Sequence, residues 1–277
     1  MNKKKEIPIV PWQVKLFEKS LMKKEKVRLI LKTTDFSHKK VFDLGCSNGT
    51  VSYFLKKTGG KWIHADLDFE NLITSKKILL NNLFLFPEDT IPLKGNQFDL
   101  VLALDILEHI EDESIILKEI KRILRNNGKV IISTPISGKY FILNSIKSMF
   151  GLTPEIYGHK REGYSLAKLK EILKMNGFQV LRSSTYAKFF VELFEITLNI
   201  LFVKINKKKK SKLRSGEISP SSEADINKNL LLFKIYSIFI YPIVCLITKI
   251  DKLLFFKTGY ATFIVAKKKT NQSSTWE

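Results

Sequence analysis

The residues with the most chemical promise lie at 43–50, Asp-Leu-Gly-Cys-Ser-Asn-Gly-Thr. Gly45-Cys46-Ser47-Asn48-Gly49 satisfies G-x-S-x-G, the spacing of a serine-hydrolase nucleophile elbow. The same residues also read as a short glycine-bearing turn after an apolar strand. An elbow sits late in a hydrolase sheet, behind several strands and an oxyanion loop. Ser47 instead follows the first strand, and no His-Gly-Gly-type loop comes before it. A ligand-binding turn needs small residues so that backbone can approach the ligand, and Gly45 and Gly49 supply them. With Ser47 between them, the turn is a poor G-x-G-x-x-G pyrophosphate cradle. Asp43, at the strand end, is an odd neighbour for phosphate and suits a cationic or amino-bearing ligand. Asp66 ends the next strand, a position that grips ribose hydroxyls. A ligand with a ribose, a positive charge and no phosphate fits all three features.

The elements that must position these residues alternate. Residues 12–33 read as one basic amphipathic helix. From residue 40 come a strand (KVFDLG), a helix (TVSYFLKK), a strand (WIHAD) and a helix (FENLITSKKILLN). LFLF reads as a third strand and FDLVLALD as a strong fourth. ESIILKEIKRIL is helical, with apolar Ile115, Ile116, Ile120, Ile123 and Leu124 in step. RNNG is expected to stop that helix, and KVIISTP to be the fifth strand. Ser165 caps a helix over 165–176, FQVLRSSTY follows as a strand, and the last strand is 260–268. Strands separated by helices require crossovers and a mostly parallel sheet.

The stretches VFDLGCSNG, HADLD and FDLVLALDILEHIEDESIILKEIKRILRNNGKVIISTP together resemble class I S-adenosylmethionine-dependent methyltransferases, within the branch that includes ubiquinone and menaquinone biosynthesis enzymes. The resemblance covers about residues 40–186 and resumes at the last strand. It implies an α/β, Rossmann-like fold: a mostly parallel seven-stranded sheet with an antiparallel last strand. It implies S-adenosylmethionine as cofactor. By position, Asp43, Gly45, Cys46 and Gly49 would line its methionine part. Asp66 would hold the ribose and Leu67 would pack on the adenine. Glu88 or Asp89 would meet the adenine, and Leu104 and Asp105 would stand where cofactor and substrate meet. Ser47 departs from the pattern, since the family usually has a second glycine there.

Methyl transfer is an in-line displacement at a sulfonium, so alignment is the enzyme's largest contribution. A hydroxyl acceptor also gains from a general base, by roughly 10²–10⁴-fold. Of four histidines, His38 precedes the first strand and His64 lies inside the second. His109 follows the fourth strand. His159 lies in the loop YGHKREGYS, over the carboxyl side of the sheet. His109 and His159 are the candidate catalytic residues; His159, Arg161 and Tyr164 are the candidate substrate contacts. Two cysteines, Cys46 and Cys245, offer no disulfide framework, and no metal site is suggested by ligand spacing.

Three parts are expected: a basic helical extension (1–39), a methyltransferase domain (40–187 and 258–270) and an apolar helical insert (188–257). In the insert, Glu192, Glu195 and Asn199 form one polar stripe. Lys234, Ser237, Tyr241, Cys245, Thr248 and Lys252 form another, with Pro242 a kink. The longest uncharged run there, 235–248, is fourteen residues, short of the ~20 a span needs. Two spans would also put the Lys-rich run 204–214 outside, against the positive-inside rule. Helices lying on an anionic membrane surface are therefore expected, with a soluble cap or a dimer face as the alternative. Residues 215–228 read as a flexible linker.

The net charge of +20 invites a nucleic-acid partner. Yet 41 of 47 basic residues are Lys, whereas phosphate recognition favours Arg for its bidentate fork. ALDILEH is no Asn-Pro-Pro-Tyr-type amine site, so RNA methylation is the weaker reading, as is a non-catalytic scaffold. The N-terminus is basic without an apolar h-region. The expected location is the cytoplasm, peripheral on the inner face of the membrane, with a small-molecule or lipid acceptor.

Overall fold

The computed structural model describes residues 10–137, 142–205, 223–254 and 256–269. Seven strands form one sheet: β1 (Lys40–Leu44), β2 (Lys61–Asp66), β3 (Leu83–Leu85), β4 (Phe98–Leu104), β5 (Leu124–Pro135), β6 (Phe178–Tyr186) and β7 (Ala261–Lys268). Their order is β3-β2-β1-β4-β5-β7-β6. β1 to β5 pair in parallel, and β7 runs antiparallel between β5 and β6.

The helices are α1 (Trp12–Glu18), α2 (Leu21–Thr33), α3 (Thr50–Lys56), α4 (Phe69–Leu79), α5 (Glu113–Ile123), α6 (Ile142–Met149), α7 (Leu166–Met175), α8 (Phe189–Ile205), α9 (Glu223–Lys228), α10 (Leu230–Ile235) and α11 (Tyr241–Ile247). The central strands are apolar on both faces because helices cover both. Phe42, Leu44, Val101 and Ala103 pack on one side with Ile116, Ile120 and Leu169. Val41, Leu100, Leu102 and Leu104 pack on the other with Val27, Ile30 and Leu55. Complete burial of side chains of this size contributes roughly 1.5–3 kcal/mol apiece.

Several local expectations need correction. The single helix at 12–33 is two, because Ser20 accepts a hydrogen bond from the Lys23 N–H at 3.3 Å and restarts the helix as an N-cap. Trp12, Phe17, Val27 and Ile30 are all buried, and Phe17 stacks on Phe54 at 3.9 Å. The basic N-terminal helices are therefore a layer of the domain. RNNG does not separate α5 from β5; it lies inside β5, where Asn127 takes φ +66°. Ile115 is exposed, the buried face of α5 being Ile116, Leu117, Ile120 and Ile123. Helix α6 had no sequence signal singled out for it. The last six residues of the expected linker are helical, as α9. The Lys-rich run beyond residue 205 lies outside the described residues.

α10 and α11 belong to one apolar helix, Leu230–Lys252. A π turn at Tyr236–Ile240 precedes Pro242, which sits in the first turn of α11. Proline has no N–H for the helical ladder, so a register change at this point relieves the missing bond.

Candidate functional site

The strand order reverses between β1 and β4, and in open α/β sheets ligands bind outside the carboxyl ends at such a switch point. Asp43 stands there, level with Leu102 of β4. It is buried, and its Oδ2 accepts from the Ser52 hydroxyl at 2.5 Å and from His64 Nδ1 at 2.9 Å. Its first duty is to brace the loop from beneath. His64, absent from the expected site, is fully buried against it.

The loop after β1 is built for tightness. Gly45 has φ +82° and Gly49 φ +78°. A Cβ on Gly45 would come within 2.9 Å of Ile106, and one on Gly49 within 2.9 Å of Ser75. The N–H groups of Gly45 and Cys46 donate to the Ala65 carbonyl at 2.8 and 3.0 Å. Cys46 is buried, and burial followed by the charge of Asp43 pushes its thiol well up, so it is no nucleophile.

Asp66 closes the loop from β2. Its Oδ2 accepts the Ser47 N–H at 2.7 Å; its Oδ1 accepts the Asp68 N–H and Asn71 Nδ2, both at 3.0 Å. Burial raises its pKa, and these hydrogen bonds oppose the shift. Three bonds leave one of about four lone-pair positions for a hydroxyl donor. Leu67, beside it, is half-buried against the core. Asp89 is exposed on the turn after β3, and so is Glu88, whose Oε2 takes the Glu111 N–H at 3.4 Å.

Asp105, just past β4, has φ +52°. Leu104 beneath it is buried. The Asp105 Oδ1 accepts from the Ser133 hydroxyl at 2.9 Å, and Ser133 also bonds the Tyr186 hydroxyl at 2.8 Å. Its Oδ2 is ion-paired with Lys26, from α2. Burial works against the Lys26 ammonium, but Asp105 and then Tyr186 outweigh it and hold its pKa above the ordinary value. Lys26, Ser133 and Tyr186 went unnoticed in the sequence. No motif marks them, and only the fold brings α2, β5 and β6 together.

Glu108 and His109 follow on a 3₁₀ turn, Leu107–His109. The loop carrying His159 lies against them. Lys160 N–H donates to the Glu108 carbonyl at 2.7 Å, and His109 Nδ1 bonds the Gly158 carbonyl at 2.9 Å. The two imidazoles meet edge-on at 4.7 Å. Burial, then His109, lowers the His159 pKa to about 4, which makes it neutral and weakly basic at neutral pH. Arg161 and Tyr164, expected at the acceptor, tie the loop to the turn after β4. Arg161 binds Glu113 at 2.5 Å and the carbonyls of Ile110 and Glu111 at 3.0 and 2.7 Å. Tyr164 is buried, its hydroxyl 3.4 Å from the Leu107 carbonyl.

The donor set suits S-adenosylmethionine. Asp43, Asp66 and Asp105 line the carboxyl edge, the loop 43–50 carries no cationic side chain to oppose a sulfonium, and Gly45 and Gly49 keep its backbone approachable.

Comparison with known proteins agrees. Residues 42–132 match the family model described as "Methyltransferase domain". An uncharacterized protein of Methanocaldococcus jannaschii is 30% identical over 188 residues, 65% of this chain and 73% of that one. The ubiquinone biosynthesis O-methyltransferase of Pelagibacter ubique is 25% identical over 130 residues, 45% of this chain and 52% of the enzyme. The chain spans about half the length of the relatives of named activity that it matches. Among solved structures, phosphoethanolamine N-methyltransferase 2 of Haemonchus contortus, in complex with S-adenosylmethionine, shares the fold. Its TM-score is 0.53 at 17% identity, covering 89% of this chain and 53% of that one. The switch-point loop, the acid at the end of β2 and the reversed β7 thus have one common explanation: the chain belongs to the class I S-adenosylmethionine-dependent methyltransferases, and S-adenosylmethionine is its cofactor.

Proposed function

We propose that this chain methylates an oxygen of an apolar acceptor held at a membrane surface, such as a quinone precursor, a polyprenyl compound or a lipid-linked sugar. The carrying observation is that Leu230–Lys252 is amphipathic the wrong way round for a soluble cap. Its two tyrosine hydroxyls face the protein: that of Tyr236 donates to the Lys19 carbonyl at 2.9 Å, and that of Tyr241 accepts from Lys24 Nζ at 3.0 Å. Leu231, Ile238, Phe239, Ile243 and Leu246 face outward and are exposed. An apolar face of this extent on a soluble protein marks an interaction site.

At 23 residues, with a mean hydropathy of 2.3 over its most apolar 18-residue window, the helix is long and apolar enough to cross a bilayer. Its anchoring favours lying along one. The bonds to Lys19 and Lys24 fix its first half to α1 and α2. At its far end, Asp251 accepts the Phe190 and Val191 N–H groups at 3.0 and 2.9 Å, capping α8. Lys234, Lys249 and Lys252 punctuate the helix, and lysines beside an apolar face add roughly 1 kcal/mol each on anionic lipid.

Bound S-adenosylmethionine supplies an electrophilic methyl group. The chain's own residues orient and hold. Asp66 accepts from the ribose, and the 45–49 backbone, braced by Asp43, supports the methionine portion. Asp105 is the group we assign to accept the acceptor's hydroxyl hydrogen, with Ser133, Tyr186 and Lys26 fixing its orientation. His159, whose pKa is about 4, is a poorer base for this task at neutral pH.

The test is one transfer assay. The purified protein is incubated with methyl-labelled S-adenosylmethionine and membranes from its own source, followed by solvent extraction. Label in the organic phase supports a lipid acceptor. Label confined to the aqueous phase would overturn it.

A further inference from the structure

We propose that Glu108, His109 and His159 form a binding site for a divalent transition-metal ion of the zinc, manganese, cobalt or iron class. The open positions of that ion would take an oxygen of the methyl acceptor; this second part rests on the function proposed above, whereas ion binding does not.

One ligand atom from each of the three residues lies within 4.8 Å of the others. Around one ion with bonds of about 2.0–2.2 Å, ligand atoms stand some 3–4 Å apart, so small side-chain rotations complete the site. Glu108 is the second, independent observation. Its side chain is fully buried, and neither carboxylate oxygen has a hydrogen-bond partner among the described residues. Buried polar groups are nearly always satisfied, and an exception calls for a reason such as an ion. A cation between Glu108 and the two imidazoles supplies it.

The surrounding bonds are those of a ligand set. The Gly158 carbonyl accepts the His109 Nδ1 proton at 2.9 Å, which leaves the lone pair on Nε2. Ligating histidines characteristically hand their other N–H to a carbonyl or carboxylate, which fixes tautomer and ring orientation. The backbone bond from Lys160 to the Glu108 carbonyl, at 2.7 Å, holds the His159 loop onto the turn carrying the other two ligands. Two imidazole nitrogens and one carboxylate suit zinc, manganese, cobalt or iron better than magnesium or calcium, which prefer all-oxygen shells. Three protein ligands leave positions for a substrate oxygen. Asp105 lies three residues before Glu108, at the acceptor end of the site.

The experiment uses tag-free, full-length protein stripped with a chelator. Zn²⁺ or Mn²⁺ is titrated calorimetrically, and Co²⁺ by visible absorption, with neither cofactor nor acceptor present. One ion per chain is expected, with affinity falling at least ten-fold in Glu108→Gln and in His159→Gln. His38→Asn, a change at an exposed histidine remote in sequence, should leave it unaltered. No saturable binding, or binding unchanged in both ligand variants, overturns the proposal. His159→Gln alters a loop, so it still decides the matter if Glu108→Gln does not fold. Because no acceptor is present, failed methyl transfer leaves the ion site standing. Transfer without ion binding would remove only the ion.

Discussion

Lys26, on the second helix, closes an ion pair with Asp105, seventy-nine residues further along the chain. The pair joins the N-terminal helices to the carboxyl end of β4, where Asp105 stands. Its members are unequally buried: the Lys26 side chain is 6% exposed and that of Asp105 42%. Removing Asp105 therefore strands a buried ammonium, whereas removing Lys26 leaves a carboxylate that water can reach. Breaking a buried pair from that side costs on the order of 3–5 kcal/mol. We expect Asp105→Asn to lower the urea midpoint more than Lys26→Met. The double variant should recover part of the loss. Strictly additive losses would mean that the two charges are not coupled.

Asp66 gives a pH dependence with opposite signs for ligand and fold. Burial raises its pKa, so the neutral acid persists to higher pH than in an ordinary Asp, whose value is about 3.9. In the role proposed above, the Asp66 carboxylate accepts from a ribose hydroxyl, so cofactor affinity should fall on acidification, beginning above pH ~4. The folded chain holds this proton more tightly than the unfolded chain. Asp66 alone therefore makes the fold less stable as pH rises through the same window. Asp66→Asn should weaken S-adenosylmethionine binding by about ten- to a hundred-fold, the worth of a hydrogen bond to a charged group. It should also flatten the acid limb of the affinity profile. Calorimetric titrations from pH 4.5 to 8 measure both, and a limb unchanged in the variant would assign it to another group.

Ser47 is where the loop departs from the family's glycine, and its backbone shows what the departure entails. It has φ +50°, a left-handed conformation that L residues other than Asn and Asp seldom adopt. Its N–H bond to Asp66, at 2.7 Å, is made by backbone that glycine retains. Ser47→Gly relieves the strain but gives the unfolded chain more freedom, so stability should change by no more than about 1 kcal/mol. Cofactor affinity should be kept. A marked loss of affinity at intact stability would reveal a direct task for the hydroxyl.

What was legible in the sequence was what local pattern encodes. Phe42, Leu44, Val101 and Ala103 alternate with Val41, Leu100 and Leu102, and the two sets pack on opposite faces of the sheet. Asp43 and Asp66 could be read because they end strands beside a glycine turn. Lys26 could not, since one lysine on a basic helix looks like every other until the fold buries it. The bonds that Arg161 and Tyr164 make to their own surroundings were not legible for a related reason. Their loop was correctly placed over the carboxyl edge, but residue type alone does not say whether a guanidinium faces a substrate or ties down its own loop. Glu108 was hidden because a missing partner is visible only in three dimensions.

The outward apolar face of Leu230–Lys252 permits a test that separates binding from folding. Leu231, Phe239 and Leu246 are 71%, 65% and 61% exposed, so they lend little to the core. Changing all three to Asp should leave the thermal midpoint nearly unmoved, as exposed substitutions usually alter stability by less than about 0.5 kcal/mol each. Each removes apolar area that would enter the headgroup boundary and adds a charge opposed by anionic lipid. Co-sedimentation with vesicles containing phosphatidylserine should fall sharply in the variant. For the unaltered protein, raising salt should weaken binding only in part, because screening acts on the lysines and not on the apolar contact. Binding abolished by salt alone would mean a purely electrostatic attachment. Unchanged sedimentation of the triple variant would move the membrane contact elsewhere and leave this face for another protein surface.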